Sequence, residues 1–131
     1  MKNKCQYYFL SLFLISILWI LIGNKFYNNY APFIFFIFGL PVFISLCASN
    51  LRLFSKELKE RDIELFKKNA LHYGYFKDEL INSLNLLDAS FEDQLSEDDL
   101  KRKYKVLKTS FNYLILCFIS IVIIGILTVY F

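Results

Sequence analysis

Charged side chains are missing from long stretches of this 131-residue sequence. Residues 7–23, 32–49 and 111–131 contain no Asp, Glu, Lys, Arg or His, and all twelve acidic residues fall within residues 57–99. A charge at the centre of a bilayer costs about 2.5–3.5 kcal/mol on insertion scales, whereas a soluble domain gains nothing by excluding charge from three such runs. The pattern excludes an ordinary soluble domain and predicts an integral membrane protein, with the lipid bilayer as its first partner.

Residues suited to metal binding or catalysis are scarce. His72 is the only histidine, which excludes a two-histidine zinc site, and the three cysteines show no CxxC spacing. A triad built on His72 would need Ser and Asp from the same loop, and we expect a packed or interfacial histidine instead. The acids of residues 92–99 lack the glycine-bearing spacing of a calcium loop, which favours a solvated turn over an ion site. The sequence therefore predicts no enzyme: no catalytic, cofactor-binding or metal-binding residue and no small-molecule substrate.

The charge balance does not suit a nucleic-acid-binding protein. The net charge is +3, and Lys2, Lys4 and Lys25 supply all of this excess, because bases and acids are equal in number across residues 50–110. Nucleic-acid recognition needs a basic surface, which such a balanced segment does not offer. We therefore expect no nucleic-acid partner.

Each uncharged run is long enough to cross a bilayer, since a spanning helix needs about 20 mostly apolar residues and about 17–25 are observed. Pro32 stands where the second helix would start, a position at which its missing N–H costs nothing. We predict an all-α integral membrane protein with three transmembrane helices. An N-terminal membrane hairpin in residues 1–49 would have spans at about 7–23 and 32–49, and a third span would cover residues 111–131.

Positive charges predict the orientation. Lys2 and Lys4 precede the first span, the first connection has only Lys25, and basic clusters border both ends of residues 50–110. Because cytoplasmic loops carry an excess of Lys and Arg, we expect the N-terminus and this loop in the cytoplasm and the C-terminus outside a bacterial inner (plasma) membrane. The first run also resembles a secretory signal. Small residues for cleavage are missing after Ile22, so we expect a retained helix.

The charged segment at residues 50–110 has a helical pattern. Apolar residues at helical spacing continue span two as a helix to about residue 69, and a second apolar set predicts a short helix at about residues 77–88. A further helix is expected from about residue 97 to residue 131. Spans two and three should therefore extend into a cytoplasmic helical hairpin or small bundle.

Acidic residues concentrate in the middle of this loop, whereas its basic ends border the bilayer, where anionic lipid attracts each Lys or Arg by about 1 kcal/mol. One interpretation is a docking face for a basic soluble partner, and the other is a solvated helix pair. The residues of this candidate partner face are Phe91, Glu92, Asp93, Glu97, Asp98 and Asp99.

Small residues and one proline interrupt the bulky side chains of the first two spans. Pro41 removes the hydrogen bond to the carbonyl of Ile37 and should bend span two, either as a hinge for gating or as a static kink. Small residues let two membrane helices approach closely. The candidate residues for membrane helix contacts are Gly39, Pro41, Ser45 and Ser49 on span two and Ser16 and Gly23 on span one.

Residues 51–131 begin with LRLFSKELKERDIELFKK, continue through GYF and reach the last span through LSEDDLKRKYKVLKTSF. This succession resembles small bacterial membrane proteins of the universal stress protein B type. The resemblance implies a helix that leaves one span, a charged cytoplasmic loop, a basic entry to the last span and a role in the cell envelope. In architecture the chain is also similar to immunity proteins against pore-forming colicins, which have three spans and recognise the toxin in the bilayer.

The function expected from these features is non-catalytic. We predict a small inner-membrane protein that acts by helix–helix and cytoplasmic-loop interactions, as a subunit, scaffold or envelope-stress factor. Its partner would be a membrane protein or a second copy in a homo-oligomer. An immunity or exclusion protein against a pore-forming toxin is the alternative, and a small oligomeric pore is a further one.

Overall fold

Helices account for the regular structure of this chain. The computed structural model describes residues 2–130, and the side chains of these residues except 2, 3, 25, 26 and 89. Within that range no strand is formed, and extended pairing is limited to one antiparallel bridge between Ala70 and Ile81. The prediction of an all-α chain is confirmed. The elements are α1 (Lys2–Ile22), α2 (Lys25–Asn28), α3 (Ala31–Ile34), a π-helical turn (Phe35–Gly39), α4 (Leu40–Arg61), α5 (Ile63–Asn69), two 3₁₀ helices (Ser83–Leu87 and Ala89–Gln94) and α6 (Asp98–Tyr130).

Three helical stretches are long and apolar enough to cross a membrane. They are Lys4–Ile22, Ala31–Arg61 and Asp98–Tyr130, with mean hydropathies of 2.0, 2.3 and 2.6 over their most apolar windows. The three helices predicted from the uncharged runs are thus present, with the length and composition that a bilayer requires. The last helix begins within one residue of its predicted start, whereas its predicted final residue, Phe131, lies outside the described residues.

The connection between α1 and α3 folds back onto the end of α1. Gly23 donates its N–H to the carbonyl of Trp19 at 2.8 Å, which completes the last turn of the helix. The indole Nε1 of Trp19 in turn donates to the carbonyl of Tyr27 at 2.9 Å. Backbone groups at a helix end need such partners when no further turn follows. The first connection is therefore a structured turn that is tied to α1.

A π-helical turn precedes Pro41. The N–H of Leu40 donates to the carbonyl of Phe35, five residues earlier, instead of four as in an α-helix. Pro41 has no N–H to donate, and in a regular α-helix its ring would clash with the carbonyl of Ile37. A π turn is one of the ways in which a helix accommodates such an interruption. The structure thus has a π turn on the N-terminal side of Pro41, and the bend expected at this proline stays a prediction.

The chain divides into two compact units. The first comprises residues up to Leu46 together with those from Ser110 onward, and the second is Cys47–Thr109. In the first unit, side chains from α1, α3, the π turn, α4 and α6 enclose an apolar core. Its buried members are Cys5, Leu12, Ile20, Ala31, Phe35, Leu40, Phe43, Cys117 and Ile124.

The second unit has a core of its own. At its centre are the rings of Phe54, Phe91 and Tyr104, with centroids 5.2–6.3 Å apart in tilted and edge-on arrangements. Such arrangements suit the charge distribution of aromatic rings better than a face-to-face sandwich. Other buried apolar residues of this unit are Cys47, Leu58, Phe66, Ala70, Ile81, Leu86, Leu95, Leu100 and Leu107.

The helix predicted to continue from span two to about residue 69 is interrupted at Asp62. Its backbone leaves the helical region, with φ −140° and ψ 80°, and its carboxylate accepts a hydrogen bond of 2.9 Å from the N–H of Leu65. An aspartate at this position caps a new helix. The predicted single helix is therefore two helices, α4 and α5, because the Asp62 side chain satisfies the first turn of the second one.

The short helix predicted at residues 77–88 is wrong. The N–H of Leu71 donates to the carbonyl of Leu80 at 2.8 Å, which closes residues 71–80 into a loop. The N–H of Ile81 donates to the buried hydroxyl of Ser55 at 3.0 Å. Since these long-range bonds compete with local helical ones, only the 3₁₀ helix at Ser83–Leu87 remains of the predicted element.

Candidate interaction surfaces

Gly39 lies where α1, the π turn and α6 approach one another. A Cβ atom at this position would stand 2.8 Å from the Sγ of Cys117 and 3.4 Å from Cδ1 of Leu12. Glycine permits a close approach that a side chain would prevent. This residue therefore serves a contact among the chain's own helices and is not open to another protein.

Ser16 and Gly23 also serve internal packing. Ser16 is buried, and its hydroxyl donates to the carbonyl of Leu12 at 2.9 Å, so its polar group is satisfied within α1. At Gly23 a Cβ atom would come within 2.5 Å of both Oδ1 of Asn28 and the carbonyl of Trp19. A larger residue could not occupy the end of α1 without moving the turn that follows.

Pro41 and Ser45, in contrast, are exposed. They lie four residues apart on α4, so they share one face of the helix. Ser49, in the second unit, is exposed as well. The structure thus separates the predicted contact residues into an internal group of Ser16, Gly23 and Gly39 and an outward-facing group of Pro41, Ser45 and Ser49.

Most apolar side chains of the three long helices lie on the outside. Only 17%, 33% and 17% of the most apolar windows of Lys4–Ile22, Ala31–Arg61 and Asp98–Tyr130 are buried. Soluble monomers rarely expose contiguous apolar patches larger than a few hundred Å². This surface therefore requires an apolar solvent or an apolar partner. Among its exposed side chains are Leu14, Leu18, Ile22, Phe36, Ile37, Phe38, Phe118, Val122 and Ile126.

In the second unit, charged side chains that are far apart in the sequence form ion pairs. Nη1 of Arg61 donates to Oε2 of Glu97 at 2.5 Å, and Nη2 lies 3.3 Å from Oδ2 of Asp99. Lys103 forms ion pairs with Glu57 and, at 3.1 Å, with Asp99. We call Glu57, Arg61, Glu97, Asp99 and Lys103 the ion-pair network. It joins the end of α4 to the start of α6 within the second unit.

The ion-pair network shifts the pKa of three groups, Arg61, Asp99 and Lys103, which lie outside the uncharged runs. The hydrogen bond from Lys103 is the main cause that lowers the pKa of the Asp99 carboxyl. The hydrogen bond to Glu97 raises the pKa of Arg61, and those to Glu57 and Asp99 raise the pKa of Lys103. Each of these shifts favours the charged form of its group, so Arg61, Asp99 and Lys103 are ionised at neutral pH.

Phe91 does not belong to an exposed partner face. It is 1% exposed, and its ring packs against those of Phe54 and Tyr104. Burial of apolar area is favourable by about 25 cal/mol for each Å² removed from water. The ring of Phe91 is therefore more stable in the core than on the surface, although acidic residues follow it in the sequence. Its assignment to the partner face is wrong.

The acids of the predicted partner face fall into two groups. Glu97 and Asp99 are engaged in the ion-pair network, and Oε1 of Glu92 lies 3.2 Å from Nζ of Lys105. Asp93 and Asp98 are exposed. The part of this face whose charge is not engaged in an ion pair described above is therefore smaller than its sequence suggests.

His72 is exposed, and its Nδ1 lies 3.3 Å from Oδ1 of Asp78 in the loop at residues 71–80. The rings of Tyr73, Tyr75 and Phe76 in this loop are also exposed, a feature that the sequence pattern did not predict. The one available signal was the aromatic run around Gly74. It interrupts the helical pattern, but a local pattern does not reveal which way the rings point.

Within residues 2–130, no group of three or more His, Cys, Asp or Glu side chains is placed to hold a metal ion. Comparisons of the chain with models of protein families, with curated proteins and with solved structures give no match. Its function therefore has to be inferred from its own surfaces.

Proposed function

We propose that this chain is a multi-pass protein of the bacterial inner membrane that acts by binding other proteins and not by catalysis. The observation that supports this most is the outer surface of the long helices, where side chains such as Leu18, Phe36 and Val122 are exposed. Leaving such groups in water is unfavourable by about 25 cal/mol per Å² of apolar area. In a bilayer the same groups are surrounded by hydrocarbon.

The proposed topology follows the positive charges. Lys2 and Lys4 precede the first span, and Lys and Arg border both ends of residues 50–110. Retention of such charges on the cytoplasmic side is the general rule for short loops. We therefore propose a cytoplasmic N-terminus, a cytoplasmic second unit and an outside C-terminus.

The contact with a membrane partner is proposed to form on the face of α4 that carries Pro41 and Ser45. Hydrophobic burial does not drive helices together in lipid, so close packing at small residues is a main source of association. Gly39 and Ser16 are already occupied inside the first unit, whereas Ser45 is exposed. The partner is another membrane protein or a second copy of this chain, and the role is that of a subunit or scaffold. A role as an envelope-stress factor is also proposed, on the basis of the resemblance to proteins of the universal stress protein B type.

The second unit offers a smaller surface for a soluble, basic partner. Asp93 and Asp98 are exposed, whereas Glu97 and Asp99 are bound to cations of the ion-pair network. We place the proposed cytoplasmic contact on these two exposed acids. It would be weak and sensitive to salt, as contacts between exposed charges are.

Membrane insertion and topology are tested by alkaline carbonate extraction of vesicles and by reporter fusions to the two ends of the chain. We expect the protein to remain with the membrane. A reporter before residue 1 should be active only in the cytoplasm, and one after residue 131 only outside. Release by carbonate, or a cytoplasmic C-terminus, would contradict the proposal.

The helix contact is tested by affinity capture through an N-terminal tag in mild detergent. Ser45→Leu should reduce the amount of captured partner several-fold because it fills the small-residue face. Val122→Leu is the matched control, since it adds bulk to an exposed apolar position on α6. Equal capture by both variants would show that α4 does not make the contact. Capture of a pore-forming toxin would favour an immunity role, and a homo-oligomer that depolarises the membrane would favour a pore.

A further inference from the structure

We propose that residues 71–80, which we call the aromatic loop, bind the cytoplasmic surface of the bilayer by placing aromatic side chains among the lipid headgroups. The side chains are those of Tyr73, Tyr75 and Phe76. The inference rests on the membrane insertion proposed above. It adds a lipid-binding site in a part of the chain that lies outside the spans.

The exposure of these rings is exceptional within the second unit. Tyr73 is 65% exposed, Tyr75 is 93% exposed and Phe76 is 37% exposed. The other aromatic side chains of the unit are at most 2% exposed and form its core. They are Phe54, Phe66, Phe91 and Tyr104. A contiguous group of exposed rings beside a well-packed core indicates a surface that another phase or molecule covers.

Defined backbone geometry presents the rings. The N–H of Leu71 donates to the carbonyl of Leu80, and the N–H of Asp78 donates to the carbonyl of Leu71, both at 2.8 Å. Gly74 and Asp78 turn the chain with φ values of +82° and +57°. A left-handed aspartate costs of order 1–3 kcal/mol, so the surrounding hydrogen bonds have to hold it in place. The loop is thus a built element of the second unit and not a free segment.

Phe76 is the residue of the aromatic loop whose position matches the depth of the headgroups, whereas the carbonyl of Asp78 accepts a hydrogen bond of 3.3 Å from Nζ of Lys59, further along α4. The ring of Phe76 has its centroid 5.6 Å from Cζ of Arg52. Arg52 is three residues beyond Ser49, the last residue of the second uncharged run, which is about 4.5 Å along a helix. The headgroup region adds about 5–8 Å on each side of the hydrocarbon. The contact with Arg52 therefore keeps the ring of Phe76 next to a residue that falls within the headgroup region.

The side chains of the aromatic loop suit the headgroup region of a bilayer. Tyrosine is enriched at membrane interfaces because its ring is apolar and its hydroxyl is polar. Arg52 and Lys77 can face phosphates, but Glu79 lies in the same loop and the carboxylate of Asp78 contacts His72. These charges nearly balance, so the rings rather than a net charge maintain the attachment. Binding should therefore depend little on salt or on anionic lipid.

The experiment places a single fluorescent indole on the loop of the full-length protein. Trp19 is the only tryptophan, so Trp19→Phe provides the background into which Tyr75→Trp is introduced. The protein is reconstituted in nanodiscs of phosphatidylcholine, with and without bromine on the acyl chains near the headgroups. The matched control is Ile63→Trp, which lies on α5 and is 44% exposed. Position 63 follows the end of α4, about 18 Å along that helix beyond Ser49.

We expect brominated lipid to quench the indole at position 75 at least twofold and to leave the indole at position 63 nearly unchanged. Quenching at position 75 should be the same in about 0.5 M salt, where the screening length is only about 4 Å. If the protein resists carbonate but the two positions are quenched equally weakly, the aromatic loop proposal is wrong and the proposed function stands. If carbonate releases the protein, both proposals fail.

Discussion

Gly39 lies directly against Cys117, since a Cβ atom on Gly39 would stand 2.8 Å from the cysteine sulfur. The approach of the π turn to α6 at this point thus depends on the absence of a side chain on Gly39. Gly125, on α6, has more space around it than Gly39 has. A Cβ atom on Gly125 would meet only Cγ of Pro32, at 3.9 Å. The two glycines form a natural pair of test and control positions.

Gly39→Ala should destabilise the first unit by about 1–3 kcal/mol, because the added methyl group overpacks a close helix contact. Gly125→Ala should leave stability unchanged or slightly higher, since alanine is the better helix former. Thermal unfolding in detergent measures both. Adding Cys117→Ala to Gly39→Ala should restore part of the loss, because it removes the clashing sulfur. Equal behaviour of the two glycine variants would show that the contact is not tight.

Tyr104→Phe should stabilise the second unit by about 1–3 kcal/mol. The Tyr104 hydroxyl is buried and has no hydrogen-bond partner among the described residues. Burial of an unpaired hydroxyl is unfavourable, whereas phenylalanine would keep the ring contacts with Phe54 and Phe91. Tyr104→Leu, which loses those contacts, should be destabilising. A lower melting temperature for Tyr104→Phe would reveal a partner of the hydroxyl in solution.

Arg61→Gln should lower the melting temperature of the second unit more than Lys56→Gln does. Arg61 contacts the carboxylates of Glu57, Glu97 and Asp99, whereas Lys56 lies 4.0 Å from the single carboxylate of Glu60. Circular dichroism at low salt measures the difference. It should shrink in about 1 M salt, where the screening length falls to about 3 Å. Equal losses at low salt would mean that the ion-pair network adds nothing beyond an ordinary surface pair.

Acid should destabilise the second unit through Asp88 and Asp99. The carboxylate of Asp88 accepts hydrogen bonds from the N–H and the hydroxyl of Ser90, and that of Asp99 accepts one from Lys103; these bonds lower the pKa of both carboxyls from the usual 3.8. The contribution of these two carboxylates to the free energy of unfolding is fully present above pH 3.8, their unfolded pKa. It is lost as the pH falls through their lower pKa in the folded protein. The pKa of Lys103 is raised above 10.5, so its contribution persists up to that pH and is lost only above it. We expect a plateau of stability between about pH 5 and pH 10.

Asp99→Asn tests this assignment. The variant should have a lower plateau and a shallower loss in acid, because one of the titrating groups has been removed. The melting temperature as a function of pH measures both features. An acid limb identical to that of the parent protein would assign the loss to other carboxyl groups.

The ends of α4 and of the 3₁₀ helices show where local pattern is insufficient. Apolar spacing correctly extended a helix beyond residue 49, but its end at Arg61 depends on the capping bond of Asp62. The failed prediction at residues 77–88 has a related cause, since the N–H of Ile81 bonds to Ser55, 26 residues away. A bond between distant residues competes with local propensity and leaves no periodic signal.

Composition was sufficient to predict three apolar helices, because the cost of placing a charge in lipid is a property of each residue and does not depend on its neighbours in space. Tertiary structure alone decided which side chains serve which contact. Gly39 and Ser45 are similar as small residues of one span, yet one is packed inside and the other faces outward. Phe91 and Tyr75 are both aromatic residues of the charged segment at residues 50–110, yet only Phe91 enters the core. Burial is a property of the folded chain, since it depends on residues that the sequence places far apart.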